Sequence, residues 1–308
     1  MKKIFIDGSA GTTGLRIHSR LEARDDIELI TLTEENRKDS EARRKAINES
    51  DVTFLCLPDD AAREAVAMVE NPNTVIIDTS TAHRTEPHFA YGFPELSGEF
   101  FEKIKSSKRI AVPGCHAGGF IALVYPLVKA GIISPDLSLF CHSITGYSGG
   151  GKKMIAEYEG DNRSELLSAP RQYGLTQTHK HLKEMKAISG IDSFPIFTPV
   201  VSDFYSGMTV TVPLFAKDIK GSAEDIKAVY RGLYSSKIVK FTESVAEDGF
   251  VSGASHSGLD SMTVGVSGNE ERILLIAQYD NLGKGASGAA VECLNISLGL
   301  DPATGLEL

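Results

Sequence analysis

Short apolar runs alternate with amphipathic helical patterns along the first third of the chain. The predicted strands are residues 3–7, 28–32, 52–57, 74–78 and 109–112. The predicted helices between them are residues 15–23, 39–48, 61–69 and 97–104. Such alternation is typical of right-handed βαβ crossovers, which build a parallel sheet covered by helices on both faces. The pattern therefore predicts an α/β domain with a Rossmann-type, doubly wound parallel sheet.

Beyond residue 130 the pattern changes, because strands recur with fewer helices between them. The predicted strands are residues 137–143, 196–201, 208–214, 262–267 and 272–278. A capping box formed by Ser222 and Asp225 opens a predicted helix that runs to Tyr234. This arrangement predicts a second, α+β domain with a mixed sheet.

The chain is long enough for two domains of ordinary size. We expect residues 1–114 to form the first of them. Residues 285–298 are small and apolar on one face, so a C-terminal helix within residues 285–308 is expected to complete that domain. Residues 115–284 are then expected to form the second domain.

Charge and cysteine usage narrow the class of protein. A net charge of −9 and a pI near 5.4 argue against nucleic acid or an anionic membrane as the main partner, since both attract basic surfaces. The longest apolar run, residues 120–128, is too short to span a bilayer, and no signal peptide precedes the first strand. The four cysteines have no paired spacing, which is typical of reduced thiols. We therefore expect a cytoplasmic protein.

Cys115 follows a β-branched run and a Pro-Gly turn, in the sequence Val-Pro-Gly-Cys-His-Ala-Gly-Gly. Apolar residues recur at helical spacing after it and Gly131 ends the pattern, so Cys115 is predicted to lie in the first turn of a helix. The open amides and the macrodipole of a helix N-terminus lower the pKa of a thiol. A buried packing cysteine shows the same local pattern. The hypothesis that Cys115 is a nucleophile therefore depends on the motifs around it.

A glycine-rich turn follows the first predicted strand and precedes the first predicted helix. Its residues are Gly8, Ser9, Gly11, Thr12, Thr13 and Gly14. The spacing departs from G-x-G-x-x-G, and a turn without a ligand explains it nearly as well. Its position favours a dinucleotide, because cofactors bind at the first strand of doubly wound sheets.

The segment after the second predicted strand bears on the choice of cofactor. It contains Thr33, Arg37 and Lys38 and has no clear aspartate at the strand tip. Two cations there favour a 2′-phosphate over a free 2′-hydroxyl, and hence NADP over NAD. A solvated start of a charged helix explains each cation taken singly.

Two histidines and a glutamate follow in the second half of the chain, in the motif His179-Lys-His181-Leu-Lys-Glu184. His181 and Glu184 share a helix face, so the carboxylate can orient the imidazole for general acid and base catalysis. His179 points elsewhere unless the helix begins between the two histidines. Surface histidines are the alternative, and a metal site lacks further ligands such as a C-x-x-C.

Three further segments carry polar groups suited to anions. Residues 143–152 form a predicted flexible loop, in which Ser148 and Gly149 offer groups for an oxyanion and Lys152 adds a cation. Arg84 follows a strand end and can form a fork with a carboxylate or phosphate. Residues 281–284 join the last strand to the last helix and are expected to contact the nicotinamide. Each of these segments could also be only a turn.

Taken in order, these motifs resemble the shorter type of N-acetyl-gamma-glutamyl-phosphate reductase, a family of arginine biosynthesis within the aspartate-semialdehyde dehydrogenase-like superfamily. The resemblance covers nearly the whole chain. It rests on the glycine-rich turn, Asp78 to Arg84, Tyr91-Gly-Phe-Pro-Glu95, Val-Pro-Gly-Cys115, Ser148-Gly-Gly-Gly, the His-x-His-x-x-Glu motif and Gly283-Lys-Gly-Ala286.

The resemblance implies that Cys115 attacks N-acetyl-glutamyl phosphate, that phosphate leaves, and that NADPH reduces the resulting thioester to an aldehyde. His181 or His179 would act as acid and base with Glu184. Substrate would contact Arg84, Ser148, Gly149 and Lys152, and no metal is implied. Residues 1–114, completed by the C-terminal helix within residues 285–308, would be the NADP-binding domain. Residues 115–284 would be the catalytic and dimerisation domain of a homo-oligomer, a dimer or a tetramer. The implied cofactor-binding residues are Gly8, Ser9, Gly11, Thr12, Thr13, Gly14, Thr33, Arg37, Lys38, Leu57, Pro58, Ser80, Asn281, Leu282, Gly283 and Lys284.

Two alternatives stay open from the sequence. One is another acyl-phosphate reductase of the superfamily, such as an aspartate-semialdehyde dehydrogenase, against which the histidine motif argues. The other is a non-catalytic regulator that keeps NADP binding but has lost the chemistry, against which Cys115 and His181 argue.

Overall fold

The computed structural model describes residues 1–308. The chain divides into two compact units. The N-terminal unit comprises Met1–Gly114 and Ala286–Leu306, and the C-terminal unit comprises Cys115–Gly285 and Glu307–Leu308. No helix combines the length and the hydropathy that a membrane span requires.

The N-terminal unit alternates strands and helices, as its hydrophobic pattern predicts. Its elements are β1 (Lys2–Asp7), α1 (Thr12–Glu22), β2 (Ile27–Ile30), α2 (Ser40–Glu49), β3 (Val52–Leu55), α3 (Asp59–Ala67), β4 (Val75–Asp78), β5 (Ala90–Tyr91), α4 (Gly98–Ser106) and β6 (Arg109–Ala111). The six strands are all parallel, in the order β2-β1-β3-β4-β6-β5. The predicted Rossmann-type sheet is confirmed. The direction of strand progression reverses between β1 and β3, which is where ligands of such sheets bind.

The last helix of the chain, Gly288–Ser297, packs into this unit. Its small residues Ala289 and Ala290 and the larger Leu294 are buried in one apolar cluster with Ile4 of β1 and Ile77 of β4. Small side chains let a helix approach a sheet closely. The helix therefore belongs to the core of the N-terminal unit although it lies at the far end of the chain.

The C-terminal unit is built around a seven-stranded sheet. Its elements are α5 (Cys115–Lys129), β7 (Phe140–Gly146), α6 (Gly151–Glu159), β8 (Arg171–Gln172), α7 (His181–Ser189), β9 (Ile196–Ser202), β10 (Met208–Phe215), α8 (Ala223–Leu233), β11 (Val239–Phe241), β12 (Met262–Gly268) and β13 (Arg272–Tyr279). The strand order is β11-β12-β13-β10-β7-β9-β8. Two pairs are parallel, β11 with β12 and β7 with β9, and the others are antiparallel. The predicted mixed sheet is confirmed.

Helix α5 is the buried centre of this unit and packs against β10, β13, α7 and α8. Pro126 lies inside it and cannot donate the usual bond to the Ala122 carbonyl. The Tyr234 hydroxyl donates to that carbonyl at 2.7 Å, and Tyr230 donates to the Leu123 carbonyl at 2.5 Å. Two tyrosines at the end of α8 thus satisfy the backbone of a helix that is otherwise surrounded by apolar side chains.

Some predicted boundaries are wrong. The strand expected at residues 137–143 is β7, three residues later, because Leu137 closes a turn by donating its N–H to the Ser134 carbonyl. The predicted helix 15–23 is α1, which begins at Thr12 with Gly11 at its N-cap. The capping box of Ser222 and Asp225 is present as predicted.

Candidate active site

Cys115 is the first residue of α5 and is partly accessible. Its carbonyl accepts a hydrogen bond from the Tyr279 hydroxyl at 2.5 Å, and the same hydroxyl accepts the Gly119 N–H at 3.1 Å. In an α-helix the Gly119 N–H and the Cys115 carbonyl also pair with each other. The tyrosine oxygen therefore contacts both of the backbone groups that close the first turn of the helix beginning with Cys115.

Two glycines leave room for this arrangement. A Cβ on Gly119 would lie 2.4 Å from the Tyr279 hydroxyl, and a Cβ on Gly285 would lie 3.0 Å from the Cys115 Cβ. Burial raises the pKa of Tyr279 well above its usual value, so its hydroxyl stays protonated and able to donate. The backbone of Cys115 is thus fixed by contacts from the end of β13 and the turn that follows it.

The next residue, His116, lies in a buried polar cluster of the same unit. Its Nδ1 lies 2.7 Å from the Ser143 hydroxyl, and its Nε2 lies 2.7 Å from the Tyr173 hydroxyl. Burial and the neighbouring His179 lower the pKa of His116 to about 3, so it is neutral at physiological pH. Burial and the nearby Cys115 thiolate raise the pKa of Tyr173. His116 therefore orients Tyr173 beside Cys115 without carrying a charge.

Both predicted histidines lie against this cluster. The ring centroids of His179 and His181 are 4.7 Å apart, and they lie 6.0 and 5.7 Å from that of His116. Helix α7 begins at His181, hence between the two histidines, and Glu184 is buried in its first turn. The backbone N–H of His181 donates to Nδ1 of the His179 ring at 3.2 Å. The proton of neutral His179 is therefore on Nε2. His179 is half-buried, whereas His181 is buried.

The predicted flexible loop at residues 143–152 is wrong. Ser143 lies inside β7, residues Tyr147–Gly150 form one 3₁₀ turn, and Lys152 lies exposed on α6. The amide of Ser148 donates to the Tyr205 carbonyl at 3.0 Å, so this amide does not face a ligand. The loop was expected because four glycines and serines follow one another, but residues 204–207 pair with it from a distant part of the chain.

Ser148 itself is buried and its hydroxyl is held in place. It accepts a hydrogen bond from the Asn281 side-chain nitrogen at 3.0 Å, while the Asn281 side-chain oxygen accepts the Gly207 N–H at 2.9 Å. Asn281 uses both ends of its amide in these two contacts. The Ser148 hydroxyl keeps its own proton for a further acceptor. Leu282, Gly283 and Lys284 follow, with Lys284 buried in the π-helical turn Gly283–Ser287.

In the N-terminal unit, a cavity of about 440 Å³ lies at the carboxyl ends of β1 and β2. Five of the residues predicted to bind the cofactor line it: Gly8, Ser9, Arg37, Lys38 and Leu57. Arg43 donates from Nε and Nη2 to the Asp7 carboxylate, at 3.1 and 3.0 Å, in a buried pair on the cavity wall. The cavity therefore combines apolar walls with cations at one end, as a dinucleotide carrying a phosphate requires.

The three motif glycines have different roles in this turn. Gly8 has a φ of +88°, and a Cβ there would lie 2.3 Å from the Cys56 carbonyl oxygen. A Cβ on Gly14 would lie 2.5 Å from the Gly8 carbonyl oxygen. A Cβ on Gly11 would only touch that oxygen at 3.4 Å, so the turn itself does not demand a glycine there. Gly11 caps α1 with no side chain, which leaves the first amides of the helix open to a ligand.

Other predicted site residues lie outside these groups or are engaged differently. Thr33 does not line the cavity, and Pro58 is the N-cap of α3. Ser80 donates its amide and hydroxyl to Asp78, which stabilises the end of β4. Arg84 is buried and donates from Nε to the Val112 carbonyl at 2.8 Å and from Nη2 to the Thr79 carbonyl at 2.9 Å. These two bonds engage donors that the predicted fork to a substrate anion would use.

The sequence assigns no catalytic or binding role to four residues near Cys115: His116, Ser143, Tyr173 and Tyr279. His116 directly follows Cys115 in the Val-Pro-Gly-Cys-His motif, so the sequence does indicate that it lies near the nucleophile. Its partners Ser143 and Tyr173 are 27 and 57 positions away, and Tyr279 is 164 positions from Cys115. No local pattern connects them.

Family models match both units of the chain. Residues 3–104 match the model described as semialdehyde dehydrogenase, NAD binding domain, and residues 115–281 match semialdehyde dehydrogenase, dimerisation domain. Among solved structures, aspartate semialdehyde dehydrogenase II of Vibrio cholerae, complexed with ASA, is similar with a TM-score of 0.74. The similarity covers 97% of this chain and 98% of that one, at 17% identity, and so concerns the fold.

Closer relatives agree with the resemblance found in the sequence. The chain is 44% identical to N-acetyl-gamma-glutamyl-phosphate reductase 2 of Nostoc sp. (strain PCC 7120), with 99% of both chains covered. It is 42% identical to the protein of the same name from Pseudomonas putida, with 96% of both chains covered. With similarity of this degree along its full length, the chain belongs to the N-acetyl-gamma-glutamyl-phosphate reductase family.

Proposed function

We propose that the protein reduces N-acetyl-L-glutamyl 5-phosphate to N-acetyl-L-glutamate 5-semialdehyde with NADPH, through a thioester on Cys115, as a step of arginine biosynthesis. The observation that carries this proposal is Cys115 itself. It begins α5, its carbonyl is held by Tyr279, and a cluster of three histidines adjoins it. A thiolate at a helix N-terminus with a proton donor nearby is suited to acyl transfer.

The first step is a displacement at the acyl carbon. The Cys115 sulfur adds to this carbon, the bond from carbon to the phosphate oxygen breaks, and inorganic phosphate leaves with that electron pair. An acyl thioester forms on Sγ. The Ser148 hydroxyl, fixed by Asn281, donates to the carbonyl oxygen while negative charge develops there.

The second step returns the sulfur to its thiolate form. When bound, NADPH supplies the hydride that reduces the thioester carbon. His179 gives a proton from Nε2 to the hemithioacetal oxygen and takes it back as the carbonyl reforms and the C–S bond breaks. We assign this role to His179 because the amide of His181 fixes its tautomer and because its ring is the more accessible of the two. His181 and Glu184 hold the start of α7 beside it.

The cavity of the N-terminal unit would hold the cofactor. The open amides of Thr12 and Thr13 after Gly11 would bind the pyrophosphate, and the cations Arg37 and Lys38 would bind a 2′-phosphate. Arg37 already pairs with Glu34 at 2.9 Å, so its side chain is directed along this wall. These residues support NADP over NAD.

The chain is proposed to act as a homodimer or a larger homo-oligomer. One face of the C-terminal sheet exposes apolar side chains in paired strands, Phe140 beside Ile196 and Pro213 beside Leu274. Phe140 and Ile196 are about half exposed, at 47% and 51%. Contiguous apolar surface of this kind is typical of interfaces. Ile196→Asp is expected to shift the protein toward the monomer in analytical ultracentrifugation.

We also propose a cytoplasmic location, since none of the four cysteines forms a disulfide.

The activity is tested most directly in the oxidative direction. N-acetyl-L-glutamate 5-semialdehyde and NADP⁺ should give NADPH only when inorganic phosphate is present, because the thioester needs phosphate to release the acyl group. Cys115→Ser should lose this activity by several orders of magnitude and keep its affinity for NADPH. Equal or faster turnover of aspartate semialdehyde would contradict the substrate assignment. Normal turnover by Cys115→Ser would contradict the covalent route.

A further inference from the structure

Two arginines flank one tyrosine ring in the C-terminal unit, and they differ in their partners. The guanidinium carbons of Arg163 and Arg171 lie 5.6 and 5.5 Å from the centroid of the Tyr158 ring. Arg163 forms an ion pair with the Asp203 carboxylate. Arg171 has no carboxylate within 4.0 Å.

The bonding of Arg171 is incomplete. Its Nη2 donates to the Tyr158 hydroxyl at 3.3 Å, and its Nε is buried with no hydrogen-bond partner. A buried N–H without an acceptor is rare in folded proteins, because desolvation of the donor is then not compensated. A half-buried guanidinium whose Nε has no acceptor is suited to a planar anion, which arginine binds with two parallel N–H bonds.

The strand that carries Arg171 leads directly to the neighbourhood of Cys115. Arg171 lies in β8, paired antiparallel with β9, and the ladder continues through Tyr173, whose N–H donates to the Pro199 carbonyl at 3.0 Å. Residues two apart in a strand point to the same face, roughly 7 Å apart. Tyr173 is hydrogen-bonded to His116, and the negative charge of the Cys115 thiolate contributes to the raised pKa of the Tyr173 hydroxyl.

A second connection runs through the ring that Arg171 covers. Tyr158 of α6 stacks on Tyr147, with 4.6 Å between the ring centroids. Tyr147 begins the 3₁₀ turn that contains Ser148. Arg171 is therefore connected to the turn of Ser148 through the stacked rings of Tyr158 and Tyr147, and to the cluster beside Cys115 through Tyr173.

We propose that Arg171 binds the α-carboxylate of the acyl substrate and so selects its chain length. This assignment rests on the function proposed above. In N-acetyl-glutamyl phosphate, the α-carboxylate carbon lies about 5 Å from the carbon that the thiolate attacks, when the chain is extended. That length suits Arg171, which lies two residues along the strand from Tyr173, the tyrosine beside Cys115. Lys152, one of the two cations that the sequence predicts to contact the substrate, is exposed on α6.

The oxidative assay separates this carboxylate from the phosphate, because semialdehyde and inorganic phosphate are then different substrates. Arg171→Gln is expected to raise the KM for the semialdehyde by roughly tenfold to a hundredfold, as expected for the loss of a charge-assisted fork. The KM values for phosphate and NADP⁺ and the kcat should change less than threefold. Arg171→Lys should recover part of the affinity, because it keeps the charge without the fork.

The matched control is Arg163→Gln, which removes the other arginine from the same ring. It should leave the KM for the semialdehyde within twofold of the wild type. An analogue of the semialdehyde with an α-carboxamide should be poor for the wild type, and Arg171→Gln should discriminate little between it and the natural substrate. This second comparison reports on the carboxylate even where Arg171→Gln lowers stability.

Three outcomes would overturn the assignment of Arg171: an unchanged KM for the semialdehyde, the same rise in Arg163→Gln, or a rise confined to phosphate. The last would make Arg171 a ligand of the phosphate. Absence of phosphate-dependent activity in the wild type would instead overturn the proposed function, and with it the assignment.

Discussion

The hydroxyl of Tyr279 donates a hydrogen bond to the carbonyl of Cys115, with 2.5 Å between the two oxygens. It also accepts the Gly119 N–H, so one side chain holds both of the backbone groups that close the first turn of α5. A helix N-terminus activates a thiol only when its first amides keep a fixed orientation toward the sulfur. Tyr279 therefore positions the nucleophile, although it does not touch the reacting atoms.

Tyr279→Phe should show this role. The variant removes the bridging hydroxyl and leaves the Cys115 carbonyl and the Gly119 N–H to rearrange. We expect kcat to fall roughly tenfold or more, the KM for the semialdehyde to change little, and alkylation of Cys115 by iodoacetamide to slow. Loss of the buried bonds should also cost about 1–3 kcal/mol of unfolding free energy.

Tyr234→Phe is the control for stability alone. Tyr234 is also buried and also donates to a carbonyl of α5, that of Ala122, but in the middle of the helix and away from its first turn. It should lose comparable stability and keep its kcat and its alkylation rate. Equal losses of kcat in both variants would show that Tyr279 acts only through general stability.

The position of Cys115 at a helix start could be predicted, because the β-branched run, the Pro-Gly turn and the 3.6-residue periodicity are all local. The partners of Cys115 could not, since Tyr279 reaches it from a strand that is distant in sequence. The prediction of a flexible loop at residues 143–152 is wrong for the same reason. Its amides are satisfied by residues 204–207, which no nearby residue indicates. Arg84 likewise has the chemistry of an anion ligand, but its burial among backbone carbonyls directs it elsewhere.

The assignment of the proton donor predicts different effects for the two histidines. His179→Asn should lower kcat roughly a hundredfold, since general acid catalysis contributes about that much, and should remove one limb of the pH profile of kcat. His181→Asn should keep that limb, because in our proposal it only supports its neighbour. Steady-state rates across the pH range measure both. A lost limb in His181→Asn and a retained one in His179→Asn would reverse the assignment.

The glycine-rich turn predicts that its glycines differ in what they tolerate. Gly14→Ala should lower the unfolding free energy, because the new Cβ would lie 2.5 Å from a backbone oxygen that cannot move easily. Gly11→Ala should fold normally, since its Cβ would be at 3.4 Å from the nearest atom, and should raise the KM for NADPH by occupying the approach of the pyrophosphate. Denaturation and cofactor titration separate the two effects. An unchanged KM in Gly11→Ala would contradict this placement of the pyrophosphate.

The cavity wall predicts which residues select NADP. Replacing Arg37 and Lys38 together by Ala should lower kcat/KM for NADPH roughly tenfold or more, and that for NADH hardly at all. Arg44→Ala is the matched control, because Arg44 lies on α2 outside the cavity and pairs with Glu70 at 3.2 Å. An unaltered ratio of the two cofactors in the double variant would show that the 2′-phosphate binds elsewhere.

The buried His116 predicts how stability depends on pH. Its pKa is lowered to about 3 in the folded protein from 6.5, so between these values the unfolded chain binds a proton that the folded chain does not. The unfolding free energy should therefore fall as pH drops below 6.5, by at most about 1.4 kcal/mol for each pH unit from this group. Above pH 6.5 His116 should contribute no slope. His256, whose pKa is also lowered by burial, adds a slope of the same sign.

The variant His116→Asn isolates this contribution, because His256 and the carboxylates are the same in both proteins. Urea denaturation at several pH values between about 7 and 5 should give a shallower slope for the variant than for the wild type. The variant should also lose activity, since Asn cannot reach both Ser143 and Tyr173 as the imidazole does. Parallel slopes for the two proteins would mean that His116 has the same pKa in the folded and unfolded states, so that it takes up a proton in the folded protein as the pH falls. A charged His116 beside Tyr173 would then stabilise the Cys115 thiolate directly, a different mechanism from orientation by a neutral ring.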